Sequence, residues 1–164
     1  MIKEEARALA KNVRKCLDIK NASSLIVNDI IASGIINDYK IIGLYYPLKY
    51  EIDIMEIKKY YKDKIFCFPK TTDDIRFYVD NDKFVKGDFK VMEPLSNEEC
   101  IPEIIFVPCL GINYHNARLG YGKGFYDRYA KGHNAMLVGV CYKECIFDFE
   151  ESNDDIKFDV IFKE

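Results

Sequence analysis

The sequence predicts a three-layer α/β/α domain built on a largely parallel sheet, and two observations carry that expectation. Short apolar runs that stop at turn residues alternate along the chain with stretches of helical periodicity. The runs themselves, such as "EIIFVP" at 103–108 and "AMLVGVCY" at 135–142, are apolar at successive positions, which suits strands covered on both faces. No internal repeat, low-complexity tract or linker interrupts the 164 residues, so one domain spanning 1–164 is expected to carry the whole activity.

Each element follows from its local pattern. Ala6, Leu9, Val13 and Leu17 recur at helical spacing and predict an opening helix; a second helical stretch runs from Ser24 to Ile36 and ends around Gly34. "YKIIGLYYP" (39–47) is a short apolar run closed by Pro47 and reads as a buried strand, after which "EIDIMEIKKYYKD" (51–63) returns to helical periodicity. "KIFCFPK" (64–70) repeats the strand and stops at Pro69. Further strands are predicted at 75–79, 103–108, 135–142 and 157–162, with a helix from Phe125 to about Lys131. The polar "FEESNDDIK" (149–157) reads as a surface loop.

Composition limits the function. With 49% apolar and 31% charged residues the chain can bury a substantial core. A net charge of -3 and a pI of about 5.5 leave no general basic field for nucleic acid, so any anion site must be local. No apolar run approaches the roughly 20 residues of a membrane span, and "MIKEEARALAKNVRK" is unlike a signal peptide, so a cytoplasmic protein without a membrane partner is expected. Cys16, Cys67, Cys100, Cys109, Cys141 and Cys145 show neither zinc spacing nor a disulfide framework. His115 and His133 also lack metal-ligand spacing and are read as surface or capping residues.

The chemistry concentrates in "NARLGYGKGFYDRY" (116–129). Gly120, Gly122 and Gly124 alternate with Tyr121 and Lys123 just before a predicted helix. Such glycines let backbone N–H groups converge, a helix N-terminus adds partial positive charge, and Arg118 and Lys123 add full charges, so a phosphate is the natural guest. The Walker pattern fails, because Gly124 follows the lysine where Ser or Thr is required, and G-x-G-x-x-G fails as well. A glycine-rich surface turn with solvated cations remains the competing local reading.

The wider run "EIIFVPCLGINYHNARLGYGKGFYDRY" closely resembles the signature of the 5-formyltetrahydrofolate cyclo-ligase (5,10-methenyltetrahydrofolate synthetase) family, with its core Arg-Leu-Gly-x-Gly-x-Gly-aromatic-Tyr-Asp. The resemblance extends over most of the chain: Lys3 and Arg7 form an N-terminal Lys-x-x-x-Arg, and Glu51 follows the strand-like "LYYPLKYEID". Pro69-Lys70, "GDFKVMEP" (87–94) and the tail "NDDIKFDVIF" also match. Cys109, Ile112-Asn113 and Asn116 depart from the usual pattern; Asn tolerates a left-handed backbone, so the turn at 116 can survive.

The resemblance implies ATP-dependent closure of 5-formyltetrahydrofolate to 5,10-methenyltetrahydrofolate, with ADP and phosphate released and magnesium as cofactor. It assigns catalysis to Arg118 and Lys123. ATP binding falls to Lys3, Arg7, Arg118, Leu119, Gly120, Tyr121, Gly122, Lys123, Gly124, Phe125 and Tyr126. Tyr46, Glu51, Tyr121, Phe125 and Tyr126 would hold the folate, and Asp127 and Asp155 the metal, with Asp154 and Asp159 as rivals for the second place. Local readings compete: Lys3 and Arg7 as a solvated helix face, Asp127 and Glu51 as helix N-terminal acids, Tyr46 and Tyr126 as core aromatics. Small molecules are the expected partners, a monomer is the favoured state, and the alternative is a nucleotide- or folate-binding module of the same fold without turnover.

Overall fold

A computed structural model describes all 164 residues. Two helices open the chain, α1 (Lys3–Arg14) and α2 (Ile19–Ser33). The second starts ahead of the predicted Ser24 because the Asp18 carboxylate accepts a hydrogen bond from Asn21 N at 3.0 Å, capping the first turn. It stops at Gly34, whose φ of 70° ends the helical run. Asp18→Ala is expected to destabilise the protein by about 1 kcal/mol, read as a lower urea midpoint with an unchanged slope; an unmoved midpoint would show that the cap contributes nothing.

The strands are β1 (Ile41–Gly43), β2 (Ile65–Thr71), β3 (Ile75–Val79), β4 (Phe84–Lys86), β5 (Met92–Pro94), β6 (Glu99–Cys100), β7 (Ile104–Pro108), β8 (Gly111–Ile112), β9 (Arg118–Leu119), β10 (Met136–Cys141) and β11 (Val160–Lys163). Helix α3 (Phe125–Gly132) lies between β9 and β10. One sheet has the order β11-β10-β7-β1-β2-β3-β6, with β11 through β2 parallel, β3 antiparallel to β2, and β6 antiparallel to β3. The antiparallel pair follows from the short link between β2 and β3, since a parallel return needs a long crossover. All five residues of β7 are buried although successive side chains point to opposite faces, so both faces of the sheet centre are covered. The α/β class and the largely parallel sheet agree with the sequence.

Two expectations need correction. The helix predicted over 51–63 is a single 3-10 turn, Met55–Lys59. The Asp53 carboxylate accepts from Met55 N at 2.9 Å, and the Tyr45 hydroxyl donates to Ile52 O at 2.6 Å, so local polar contacts take backbone groups a helix would use. The strand predicted over 39–47 keeps only Ile41–Gly43, because the chain leaves the sheet after Gly43 to form a wall of the site described below. Two small hairpins, β4–β5 and β8–β9, were not anticipated.

The core is one cluster that includes the fully buried Phe68, Phe77 and Phe106; each such side chain stabilises the fold by about 1.5–3 kcal/mol. Four of the six cysteines are buried and all six are free thiols. No helix is long and apolar enough to cross a membrane.

Candidate active site

The sheet order reverses direction around β1, whose neighbours are β7 on one side and β2 on the other. In open parallel sheets a crevice forms beyond the carboxyl ends of strands that diverge in this way. Here Tyr45 and Tyr46 follow β1, Pro69 and Thr71 end β2, and Pro108 ends β7; all of them line a cavity of about 280 Å³. Tyr121, Phe125 and Tyr126 supply further aromatic walls, and Glu51 is among the few acidic or basic groups there. The hairpin β4–β5 forms part of the enclosure: Phe89 at its tip packs 5.2 Å from the Phe125 ring, and Glu93 accepts from Thr71 N at 2.6 Å.

A second cavity, of about 380 Å³, has no hydrophobic lining. Lys3 and Arg7 reach it from α1, Gly120 and Gly122 from the loop, and Asp127, Arg128 and Lys131 from α3. Asp154 and Asp155 close it from the C-terminal segment. Arg118 and Gly124 line both cavities, so the glycine loop is the partition between them.

The loop has this shape for identifiable reasons. Gly124 caps α3 at φ 71°, a left-handed conformation that glycine adopts without a Cβ penalty. At Gly120 a Cβ would lie 2.5 Å from Arg118 Nη1, so this position leaves room for the guanidinium. Arg118 is buried: Nε donates to Pro108 O at 2.9 Å, Nη1 stands 4.0 Å from Asp127 Oδ2, and Cζ lies 5.0 Å from the Tyr126 ring centre. Arg7 Nε donates to Gly120 O at 2.8 Å, tying α1 to the loop. Lys3 and Arg7 therefore share one helix face turned toward the polar cavity.

The remaining predicted residues separate by cavity. Lys123 lines the aromatic cavity, its Nζ 5.9 Å from the Phe89 ring centre, and it is absent from the walls of the polar one. Tyr121, Phe125 and Tyr126 lie on the aromatic side alone, and Tyr46 joins them there. Leu119 is fully buried and lines neither cavity. Asp127 Oδ1 accepts from Ile156 N at 2.9 Å, which fastens the C-terminal segment to α3. Asp155 Oδ2 pairs with Lys3 at 2.5 Å and accepts from Ser152 N at 2.9 Å. Asp159 instead accepts from Leu137 N at 2.8 Å at the edge of β10, so of the rivals only Asp154 shares the polar cavity.

Glu51 is a buried carboxylate that accepts from Leu48 N at 2.7 Å and from the Tyr121 hydroxyl at 3.2 Å. Burial pushes its pKa above the usual carboxylate range, opposed by the Leu48 N–H and by the charges of Arg14 and Arg118. Burial likewise raises the phenols of Tyr121 and Tyr126, keeping both as neutral hydroxyls near pH 7. The departures in the loop have structural explanations. Asn116 has φ 63°, and buried Asn113 accepts from His115 N and Ala117 N while donating to Phe149 O. His115 pairs with Glu151 and His133 stacks on Tyr129, both outside the cavity walls.

Sequence reasoning missed Arg14, Arg128 and Lys131. Arg128 and Lys131 are ordinary surface cations of a short helix until the fold faces them to the polar cavity. Arg14 carried a signal: eleven residues after Lys3 at 100° per residue returns to within about 20° of the same helix face.

Fold and site together describe an α/β protein in which a glycine loop divides a cationic, acid-bearing cavity from an aromatic one. The chain belongs to the 5-formyltetrahydrofolate cyclo-ligase family, whose sequence profile matches residues 2–150. The 5-formyltetrahydrofolate cyclo-ligase of Mycoplasma genitalium is 28% identical over 131 residues, covering 74% of this chain and 71% of that protein. That of Mycoplasma pneumoniae is 28% identical over 131 residues, covering 76% and 73%. The solved structure of a 5,10-methenyltetrahydrofolate synthetase from Aquifex aeolicus superposes with a TM-score of 0.86 at 28% identity, covering 99% of this chain and 90% of that one. A synthetase structure from Mycoplasma pneumoniae has a TM-score of 0.79 at 24% identity over 98% of both chains, and it bears on the fold.

Proposed function

We propose that this protein closes 5-formyltetrahydrofolate to 5,10-methenyltetrahydrofolate, splitting ATP to ADP and phosphate. The observation that carries the reading is the shared wall: Arg118 and Gly124 belong at once to a polar cavity suited to polyphosphate and an aromatic cavity suited to a pterin. A formyl oxygen in the aromatic cavity attacks the terminal phosphorus of ATP; the new O–P bond forms as the bond to ADP breaks. The neighbouring folate nitrogen then attacks the formyl carbon and loses its proton, and the C–O bond breaks as phosphate leaves. Positioning and charge stabilisation dominate such a transfer.

In this reading Lys3, Arg7 and the Gly120, Gly122 and Gly124 amides bind the phosphates, and Arg118 holds the transferred group from the partition. Lys123 reaches the same group from the folate side, which fits its place beside Phe89. Glu51 accepts the pterin's amino and ring N–H groups, with Tyr46, Tyr121, Phe125 and Tyr126 bordering the ring system. Asp127 and Asp155 suit magnesium, which takes one or two carboxylates and completes its shell with phosphate oxygens and water; bound there it neutralises phosphate charge. Asp155 lies beyond the residues matched by the family profile, so its assignment rests on the cavity. The enzyme is read as a cytoplasmic monomer acting on small molecules.

The test is a paired assay on the purified chain: growth of methenyltetrahydrofolate absorbance alongside ADP release. Both are expected to require ATP and magnesium, to vanish on chelation, and in Asp127→Asn to need roughly tenfold more magnesium, the scale of one lost charge-assisted contact. Binding of both substrates without ADP release would replace the enzyme by a binding module.

A further inference from the structure

Arg14 has no role in the scheme above, yet it is the most buried cation in the protein. It is 5% exposed, and its Nε and Nη1 are buried without a hydrogen-bond partner. It stands in the last turn of α1, where a cation suits the helix dipole, but its guanidinium turns inward. There it borders a chamber of about 10 Å³ whose other walls include Glu51, Tyr45, Cys109 and Tyr142. Its Cζ lies 5.8 Å from the ring centre of Tyr121, the residue whose hydroxyl donates to Glu51.

The chamber lies behind the aromatic cavity, with Tyr45, Glu51 and Pro108 common to both. A guanidinium offers five N–H donors and no acceptor, and buried donors left without partners, here Nε and Nη1, are costly. Glu51 is the single carboxylate on the chamber wall. A space of this size admits one water molecule.

We propose that Arg14 is a positioning residue for the folate site: from behind Glu51, through one water in the chamber, its guanidinium keeps that carboxylate ionised and directed into the aromatic cavity. The inference rests on the reading of Glu51 as the pterin acceptor. A neutral carboxyl presents a proton where the pterin also presents one, so the charge state of Glu51 decides whether folate is bound. The other titratable groups around Glu51 are Tyr45 and Cys109 beyond β1 and β7, Arg118, Tyr121 and Tyr126 about the glycine loop, and Cys141 and Tyr142 at the end of β10. Arg14 and Arg118 are the cations of that set. Burial works against ionisation of Glu51, and Arg14 opposes it more strongly than Arg118 does.

The test has two readouts on the full chain. Difference infrared spectra against Glu51→Gln follow the protonation of Glu51 without folate, and calorimetry follows 5-formyltetrahydrofolate affinity from pH 5.5 to 8.5, a window of about the range over which perturbed carboxyls titrate. Arg14→Met is expected to move the Glu51 titration up by about one pH unit and to weaken folate about tenfold at the acid end, with recovery as pH rises; Arg14→Lys is expected to restore most of both. If Glu51 titrates identically in Arg14→Met, or affinity falls equally at every pH, the role of Arg14 is overturned. A displaced titration with unchanged folate affinity upholds Arg14 and removes the pterin assignment instead. Should Arg14→Met fail to fold, Arg14→Met combined with Glu51→Gln is expected to restore soluble protein by removing both charges together. An equally insoluble double variant overturns the coupling.

Discussion

Exchanging Arg118 for lysine is expected to lower kcat by about 10²–10³-fold, the range for removing one preorganised donor from a charge-stabilising site, with a much smaller change in the KM for folate. The positive charge survives the substitution, so a large loss would locate the contribution in geometry. Arg118 uses Nε on Pro108 O and keeps its terminal nitrogens at the partition beside Asp127. An ammonium cannot hold the carbonyl and face the transferred group at once, and it lacks the planar fork that fits phosphate oxygens. The Pro108 carbonyl, left without its partner, adds a stability cost of about 1–3 kcal/mol. Urea titration separates that cost from the kinetic effect. A variant with wild-type kcat would take Arg118 out of the reaction.

Glu51→Gln is expected to weaken 5-formyltetrahydrofolate binding by about 10- to 100-fold, the equivalent of a charge-assisted hydrogen bond, while ATP affinity stays near wild type. The side-chain shape is kept, and the amide oxygen can still accept from Leu48 N as the carboxylate does. What is lost is an acceptor-only charge. Burial raises the Glu51 pKa, so wild-type affinity holds above that value and falls as the carboxyl protonates on acidification; the amide of the Glu51→Gln variant does not titrate and gives no such acid limb. Stability carries the opposite sign. Because the folded-state pKa is raised, the stabilisation from this group is complete below the unfolded pKa and is lost as pH rises through the folded value. The variant should therefore show less loss of stability between acidic and neutral pH. Unchanged folate affinity would sink the pterin assignment, and an unchanged pH profile would show that another group titrates.

The glycine loop was legible because its chemistry is local. Gly124 at a helix start, Asp127 in the first turn and Arg118 two residues before Gly120 are relations of short range, and a motif encodes them directly. Lys3 and Arg7 were legible as a face for the same reason, since helical periodicity alone brings them together. Their destination was less so: the contact of Arg7 with Gly120 O and the cavity that both residues line show that this face meets the loop. The failed helix over 51–63 illustrates the reverse case. Its periodicity is real, but Tyr45 and Asp53 hold the backbone in another form and Ser23 of α2 accepts from Asp53 N, so side-chain hydrogen bonds, one of them from a distant helix, overrule a weak propensity.

By itself the sequence determined the α/β class, the position of most strands of the main sheet and the identity of the loop that faces both cavities, since each depends on patterns within a few residues. Tertiary structure alone decided how the site is divided. It put Lys123 on the aromatic side, engaged Asp159 at the sheet edge while Asp155 faced the polar cavity, and turned Arg14 inward behind Glu51. The physical reason is that a cavity belongs to no single segment. It exists only beyond the carboxyl ends of β1, β2 and β7 and where α1, the loop and the C-terminal segment converge, and the packing that joins them cannot be read from local spacing.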